Sequence, residues 1–251
     1  IGADGQDLPL QLQGDTQASG SGTRTLVLTQ DSESFVFTGI TAEPVPSILR
    51  GFTAPVVLEF DYTDAQLLHI LAHDSDPFNR WEAGQRLAVQ RALTAVKAMA
   101  SGTAPAAVLD DAYIGAMRQV LAHPKLDSAF KELVLTLPSE AYLAEQLDVV
   151  DPQHIHTVRE AMRQQLATAL QGEWETVYAA NQDTGAYTPD AVSSGKRALS
   201  GMALTHLCLA ANASGDAVWP GKTLQRFKDA GNMTDRFNAL AALVSSGHPL
   251  A

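Results

Sequence analysis

Over the first 62 residues, apolar and polar positions alternate in short runs: Leu8-Pro9-Leu10-Gln11-Leu12, Thr25-Leu26-Val27-Leu28-Thr29 and Ser34-Phe35-Val36-Phe37-Thr38. A period of two predicts strands with one buried face. The polar stretches 15–22 and 30–33, the first rich in Gly and Ser, suit turns between them. Ala54-Pro55-Val56-Val57-Leu58-Glu59-Phe60 predicts another strand, with proline at its start, where a missing N–H is tolerated. From Thr63 onward apolar residues recur every three or four positions, predicting helices over 64–73, 79–100, 106–122 and 126–135. The longest helical stretch opens at Asp151-Pro152, an N-cap acid followed by the proline favoured in a first turn. Its apolar stripe runs Ile155, Val158, Met162, Leu166, Leu170, Trp174 and Val177 along one face. Ser75-Asp76-Pro77, Pro138-Ser139-Glu140 and Thr234-Asp235 are further start signals. A β region, 1–62, thus precedes a helical region, 63–251, whose short loops predict antiparallel helices stacked in pairs.

Composition narrows the partners. Of the 251 residues 45% are hydrophobic and 18% charged, an ordinary globular balance, with a formal net charge of -11. Such a surface repels phosphate backbones and anionic headgroups, which disfavours nucleic acid and membrane surfaces. No apolar run reaches the roughly 18 residues of a membrane span. The single cysteine, Cys208, lies in the apolar run Ala203-Leu204-Thr205-His206-Leu207-Cys208-Leu209 and reads as a small buried hydrophobe. Without an internal disulfide, a reducing, cytoplasmic location is expected, and the tripeptides at Asn212 and Asn232 read as chance glycosylation matches. The chain opens at Ile1 with no basic leader, which reads as the start of an excised piece.

Candidate chemistry is sparse. His69 and His73, at i and i+4, share a helix face, the spacing zinc peptidases use. Those enzymes need a glutamate base after the first histidine and a third ligand downstream; here Ile70 follows His69, and no histidine precedes a glutamate. The pair reads as structural. Gly215 to Thr223 resembles a phosphate-binding loop but has five residues between its glycines instead of four, and contains Trp219-Pro220. It reads as a turn leading into a helix from Thr223. His154 and His156 diverge around a helix axis, Asp148 precedes a helix that Asp151 caps, and no Gly-x-Ser-x-Gly elbow occurs. No catalytic, cofactor-binding or metal residue is expected in this chain.

Several segments nevertheless resemble the bacterial alanyl aminopeptidases, the aminopeptidase N family of zinc metallopeptidases. They are Glu43-Pro44-Val45-Pro46-Ser47-Ile48-Leu49-Arg50-Gly51-Phe52-Thr53-Ala54-Pro55-Val56, Asp76 through Gln85, Leu135 through Glu140, Val149 through Ala161, and Asn232 through Asp235. Their order and extent cover nearly the whole chain. The resemblance implies a small β-sandwich domain at 1–62 followed by a truncated all-α domain at 63–251. It also implies a parent enzyme that releases N-terminal amino acids from peptides, with zinc, general base and transition-state tyrosine in an upstream catalytic domain. This part would then be scaffold and lid over the cleft, with that domain as its partner and peptides as the parent's substrates. Two other readings are a freestanding helical-repeat adaptor that binds proteins and a small metalloenzyme using His69 and His73. Uncovered helix faces are expected near the C-terminus, at Ala239, Leu240, Leu243 and Val244, giving some self-association.

Overall fold

The computed structural model describes every residue except 17–19, 21, 104–105, 184 and 250–251. Ten α-helices occur among the described residues: α1 (Asp64–His73), α2 (Pro77–Ala100), α3 (Asp111–Ala122), α4 (Ser128–Leu135), α5 (Glu140–Glu145), α6 (Pro152–Ala169), α7 (Gln171–Ala180), α8 (Ala191–Ser214), α9 (Val218–Asp229) and α10 (Met233–Ser246). The chain divides into two compact units, residues 1–87 and 88–251. No helix among the described residues is long and apolar enough to cross a membrane.

The expected β-sandwich over 1–62 is absent. Among the described residues this stretch holds no strand, only an isolated antiparallel bridge between Leu12 and Phe37. Gln13 N–H donates to Val36 O and Thr38 N–H to Gln11 O, both at 2.8 Å, and the pairing goes no further. Alternation specifies a strand only where a neighbouring strand completes the ladder and a second layer covers the apolar face. Here side chains take backbone groups that would pair. Thr29 N–H donates to the Glu33 carboxylate (2.8 Å), and Arg86 donates to the carbonyls of Leu58 (3.2 Å) and Phe60 (3.5 Å). Val27, Leu28 and Val57 are exposed, the last at 91%. The turn read over 15–22 lies partly outside the described residues.

What orders the first unit is a polar clasp. Arg50 sits in a short 3-10 turn, Arg50–Phe52, flanked by Leu49 at φ 62° and containing Phe52 at φ 55°. Left-handed backbone at residues with a Cβ costs about 1–2 kcal/mol each, so the turn needs outside support. The Arg50 guanidinium donates to Ser47 Oγ (2.9 Å), Thr23 Oγ1 (3.0 Å), Asp7 Oδ1 (2.7 Å) and the buried Asp74 Oδ1 (2.9 Å). Asp76 accepts from Gly51 N–H, and Asn79 donates to Ser47 Oγ and Ile48 O. The two segments 43–56 and 76–85 therefore hold each other. Thr63 and Gln66 form a reciprocal capping box at the start of α1, and Arg80 caps its end through Leu71 O and Ala72 O. Leu67, Ile70, Leu71, Ala83 and Leu87 form the apolar core beneath.

In the second unit α8 is the centre, packed by α4, α6, α7, α9 and α10. α8 is buried along its length, from Leu199 through Leu204 and Leu207 to Ala211, and helices adjacent in sequence also pack on one another, as α9 with α10 and α5 with α6. Gly195 permits the close approach of α4: a Cβ there would lie 2.9 Å from Ala129 N. The whole stripe from Ile155 to Val177 is buried, but it spans two helices. They meet at Leu170 (φ −116°, ψ 23°), where Leu166 O accepts both Leu170 N–H and Trp174 Nε1–H. α3 starts later than its periodicity predicts, because Gln165 Oε1 takes the N–H groups of Val108 and Leu109 and Asp110 caps at Tyr113 N–H. α9 starts earlier than Thr223, at Val218. On α10, Ala239 and Leu243 are buried, while Leu240 and Val244 face solvent with Met233 and Phe237.

Candidate functional site

The histidine pair is brought together as its spacing requires. The rings of His69 and His73 lie 4.7 Å apart on α1, tilted by 51°. His69 Nε2 is 2.8 Å from Gly2 O, so that nitrogen carries a proton and serves as a donor. Burial, then the neighbouring His69 and Arg80, push His73 below the usual imidazole range. Among the described residues no group of three or more His, Cys, Asp or Glu is arranged to hold a metal ion. The zinc implied by the family resemblance thus finds no fitting ligand set among the described residues.

The other sequence candidates have local structural roles. Cys208 is fully buried, and its sulfur lies 3.1 Å from Thr223 Oγ1. The Thr223 hydroxyl donates to Trp219 O (2.8 Å), which leaves the thiol as donor to the hydroxyl. Burial pushes the thiol pKa up, away from the reactive thiolate. The Gly215–Thr223 segment is a left-handed C-cap at Gly215 followed by α9, and Lys222 lies over the Trp219 ring at 4.3 Å. His154 Nδ1 lies 3.3 Å from an Asp151 carboxylate oxygen without a hydrogen bond among the described residues, and His156 Nδ1 is 2.8 Å from Glu140 Oε1, so the two histidines are held apart. Asp151 caps α6 as its position predicts, Asp148 is exposed before it, and Asn232 caps α10.

A different group of residues forms an open cavity in the second unit. Its volume is about 400 Å³, and it is lined by Glu132, Leu135, Arg159, Arg163, Gly201, Met202, His206 and Asn238, among others. The apolar stripe of α6 places Arg159 and Arg163, one turn apart, at the cavity wall. Arg159 Nε donates to Pro138 O (2.8 Å), and Arg163 Nη1 donates to both Glu160 oxygens (2.8 Å each). His206 stacks on Trp174 with centroids 4.3 Å apart and planes 19° from parallel. Its Nδ1 lies 2.9 Å from Met202 O; a carbonyl only accepts, so Nδ1 carries the proton and Nε2 presents a lone pair. These residues escaped the sequence reading because they come from four separate helices. The one available signal was the Arg159/Arg163 spacing beside the α6 stripe.

Burial lowers the His206 pKa to about 4, against an opposing bond to Met202 O and with the help of nearby Arg163. The unfolded chain, at about 6.5, binds a proton that the folded chain refuses. This contribution to stability is therefore complete above about pH 6.5 and declines as pH falls toward 4. At 1.36 kcal/mol per pKa unit the full effect is on the order of 3 kcal/mol. His206→Phe, which keeps the stack on Trp174, should flatten the slope of stability between pH 7 and pH 5. Urea unfolding at the two pH values, compared between the variants, measures it; identical slopes would remove His206 as the cause.

Helices gathered around a buried central helix, with an open polar cavity at their side, place the chain in the class of multihelical all-α proteins. The chain belongs to the family described as Domain of unknown function (DUF3458_C) ARM repeats, whose model matches residues 64–251. Residues 2–61 match a second model, described as Domain of unknown function (DUF3458) Ig-like fold, although the backbone there shows the single bridge noted above. Aminopeptidase N of Escherichia coli (strain K12) is 34% identical over 249 residues, covering 98% of this chain and 27% of that protein. Aminopeptidase N of Caulobacter vibrioides is 34% identical over 225 residues, covering 90% of this chain and 25% of that protein. The chain spans about a quarter of the length of these relatives. Among solved structures, Legionella pneumophila aminopeptidase A in complex with aspartic acid shares the fold with a TM-score of 0.65 at 24% identity, over 82% of this chain and 24% of that one.

Proposed function

We propose that this chain is a non-catalytic part of a zinc-dependent aminopeptidase that releases N-terminal amino acids from peptides. The observation that carries the reading is homology to aminopeptidase N along 98% of this chain while only 27% of the relative is matched. In this reading zinc and the catalytic groups belong to another domain of the same polypeptide, which is the chain's principal partner, and peptides are the substrates. The helical region from residue 63 onward acts as a lid that excludes folded proteins and limits water around the reacting bond. Residues 1–62 act as the spacer before it, and the lone buried thiol supports a cytoplasmic setting.

The 251-residue protein, supplied with zinc and an aminoacyl chromogenic substrate, is expected to show no turnover above a protein-free blank. Measurable turnover abolished by chelation would sink the reading. Sequencing the gene upstream of Ile1 is the complementary check, with an in-frame His-Glu-x-x-His and a downstream Glu as the expected result.

A further inference from the structure

The cavity beside α8 offers more than a gap between helices. Two guanidiniums line it with donors to spare. Arg163 uses Nη1 on Glu160, and its Nε and Nη2 make no hydrogen bond among the described residues. Arg159 uses Nε on Pro138 O and keeps only a loose 3.9 Å contact from Nη1 to Glu160. Acceptors line the same space. His206, 93% buried by its 7% exposure, makes no hydrogen bond from Nε2 among the described residues. Asn238 spends its Nδ2 on Arg197 O (3.2 Å), and its Oδ1 has no hydrogen bond among the described residues. Among the described residues Glu132 receives one weak side-chain bond, from Thr136 at 3.3 Å on Oε1, and none on Oε2. Gly201 leaves room for Asn238, because a Cβ there would lie 2.6 Å from its Nδ2 and push that side chain aside.

We propose that this cavity is a binding site for a small zwitterion, a free α-amino acid or a dipeptide. Charge balance decides the class. Arg159 and Arg163 are offset by Glu132 in the lining and Glu160 behind them, so the site carries no net charge and favours neither a simple anion nor a simple cation. A ligand with both charges satisfies both sets of groups: its carboxylate meets the spare guanidinium donors, and its ammonium meets Glu132, Asn238 Oδ1 or His206 Nε2. Leu135 and Met202 supply apolar wall for a side chain. A volume of about 400 Å³ suits a ligand of this size. The site is built wholly within residues 88–251 and stands whether or not the aminopeptidase reading does.

Calorimetric titration of the 251-residue protein with L-leucine tests it, beside 4-methylpentanoate (the same skeleton without the amine) and isopentylamine (without the carboxylate). Saturable leucine binding at least tenfold tighter than either analogue is expected. Arg163→Met and Glu132→Gln should each weaken it at least tenfold, with far-UV melts verifying that both variants fold. Arg118→Ala, away from the cavity, should bind as the parent does. Equal affinity for 4-methylpentanoate would make this an anion site and overturn the proposal, as would equal affinity for the amine. No saturable heat with leucine up to about 20 mM, or unchanged binding in both lining variants, would overturn it too.

Discussion

Replacing Arg50 with methionine should destabilise the residue 1–87 unit by about 3–5 kcal/mol, the range for removing one partner of a buried ion pair. Asp74 has a fully buried side chain and forms an ion pair with Arg50 at 2.9 Å; its second oxygen, Oδ2, lacks a hydrogen-bond partner among the described residues. Methionine fills the space of the Arg50 stem but leaves that buried carboxylate without its ion-pair partner, with the Asp76 N–H still donating to Oδ1. The same change releases Asp7, whose carboxyl the Arg50 hydrogen bond holds below the usual range. It also frees the left-handed turn at Leu49 and Phe52. Hydrogen exchange in α1, with urea unfolding followed by far-UV circular dichroism, measures the loss. The double variant Arg50→Met/Asp74→Leu should regain much of it, because two apolar partners strand no charge. A single variant within about 0.5 kcal/mol of the parent, the usual range for a surface change, would mean that the clasp does not order this unit.

In the second unit the largest expected loss follows Trp174→Ala, at about 3–5 kcal/mol for truncating a buried tryptophan. Trp174 is fully buried, stacks on His206, and donates its Nε1–H to Leu166 O at 3.0 Å, where α6 gives way to α7. Trp174→Phe keeps most of the ring area and loses the donor, for about 1–3 kcal/mol. There is a second readout. Removing the indole admits water to His206, so its imidazole should titrate closer to 6.5 than to 4, visible as a shifted midpoint of its ring proton signals in NMR. A large stability loss with an unmoved His206 midpoint would mean that other neighbours keep the imidazole dry.

The helices were legible because their determinants are local. Asp151 and Pro152 start α6 by placing a side-chain acceptor and a fixed φ within one turn, and Ser139 does the same for α5 by accepting from Tyr142 N–H. The apolar stripe from Ile155 to Val177 is buried throughout, and the run around Cys208 lies in the central helix. The break at Leu170 was not legible, since the period of the stripe continues across it. Residues 1–62 show the opposite case. Their alternation is real, but a sheet needs partners distant in sequence, and Glu33 and Arg86 take backbone groups that a ladder would use.

By itself, then, the sequence determined the helical periodicity and caps, the resemblance carried by segments such as 43–56 and 76–85, and the absence of the His-Glu zinc-peptidase pattern. Tertiary structure decided what those segments are for. Asp76 and Asn79 meet Gly51, Ser47 and Ile48 only once α2 lies beside the 3-10 turn, which makes both motifs parts of one clasp. It also decided that Glu132, Arg159, His206 and Asn238 share a cavity, although they are spread over more than a hundred positions of the chain. Local patterns report hydrogen bonds closed within a turn or two; a clasp or a cavity exists only after distant helices have packed.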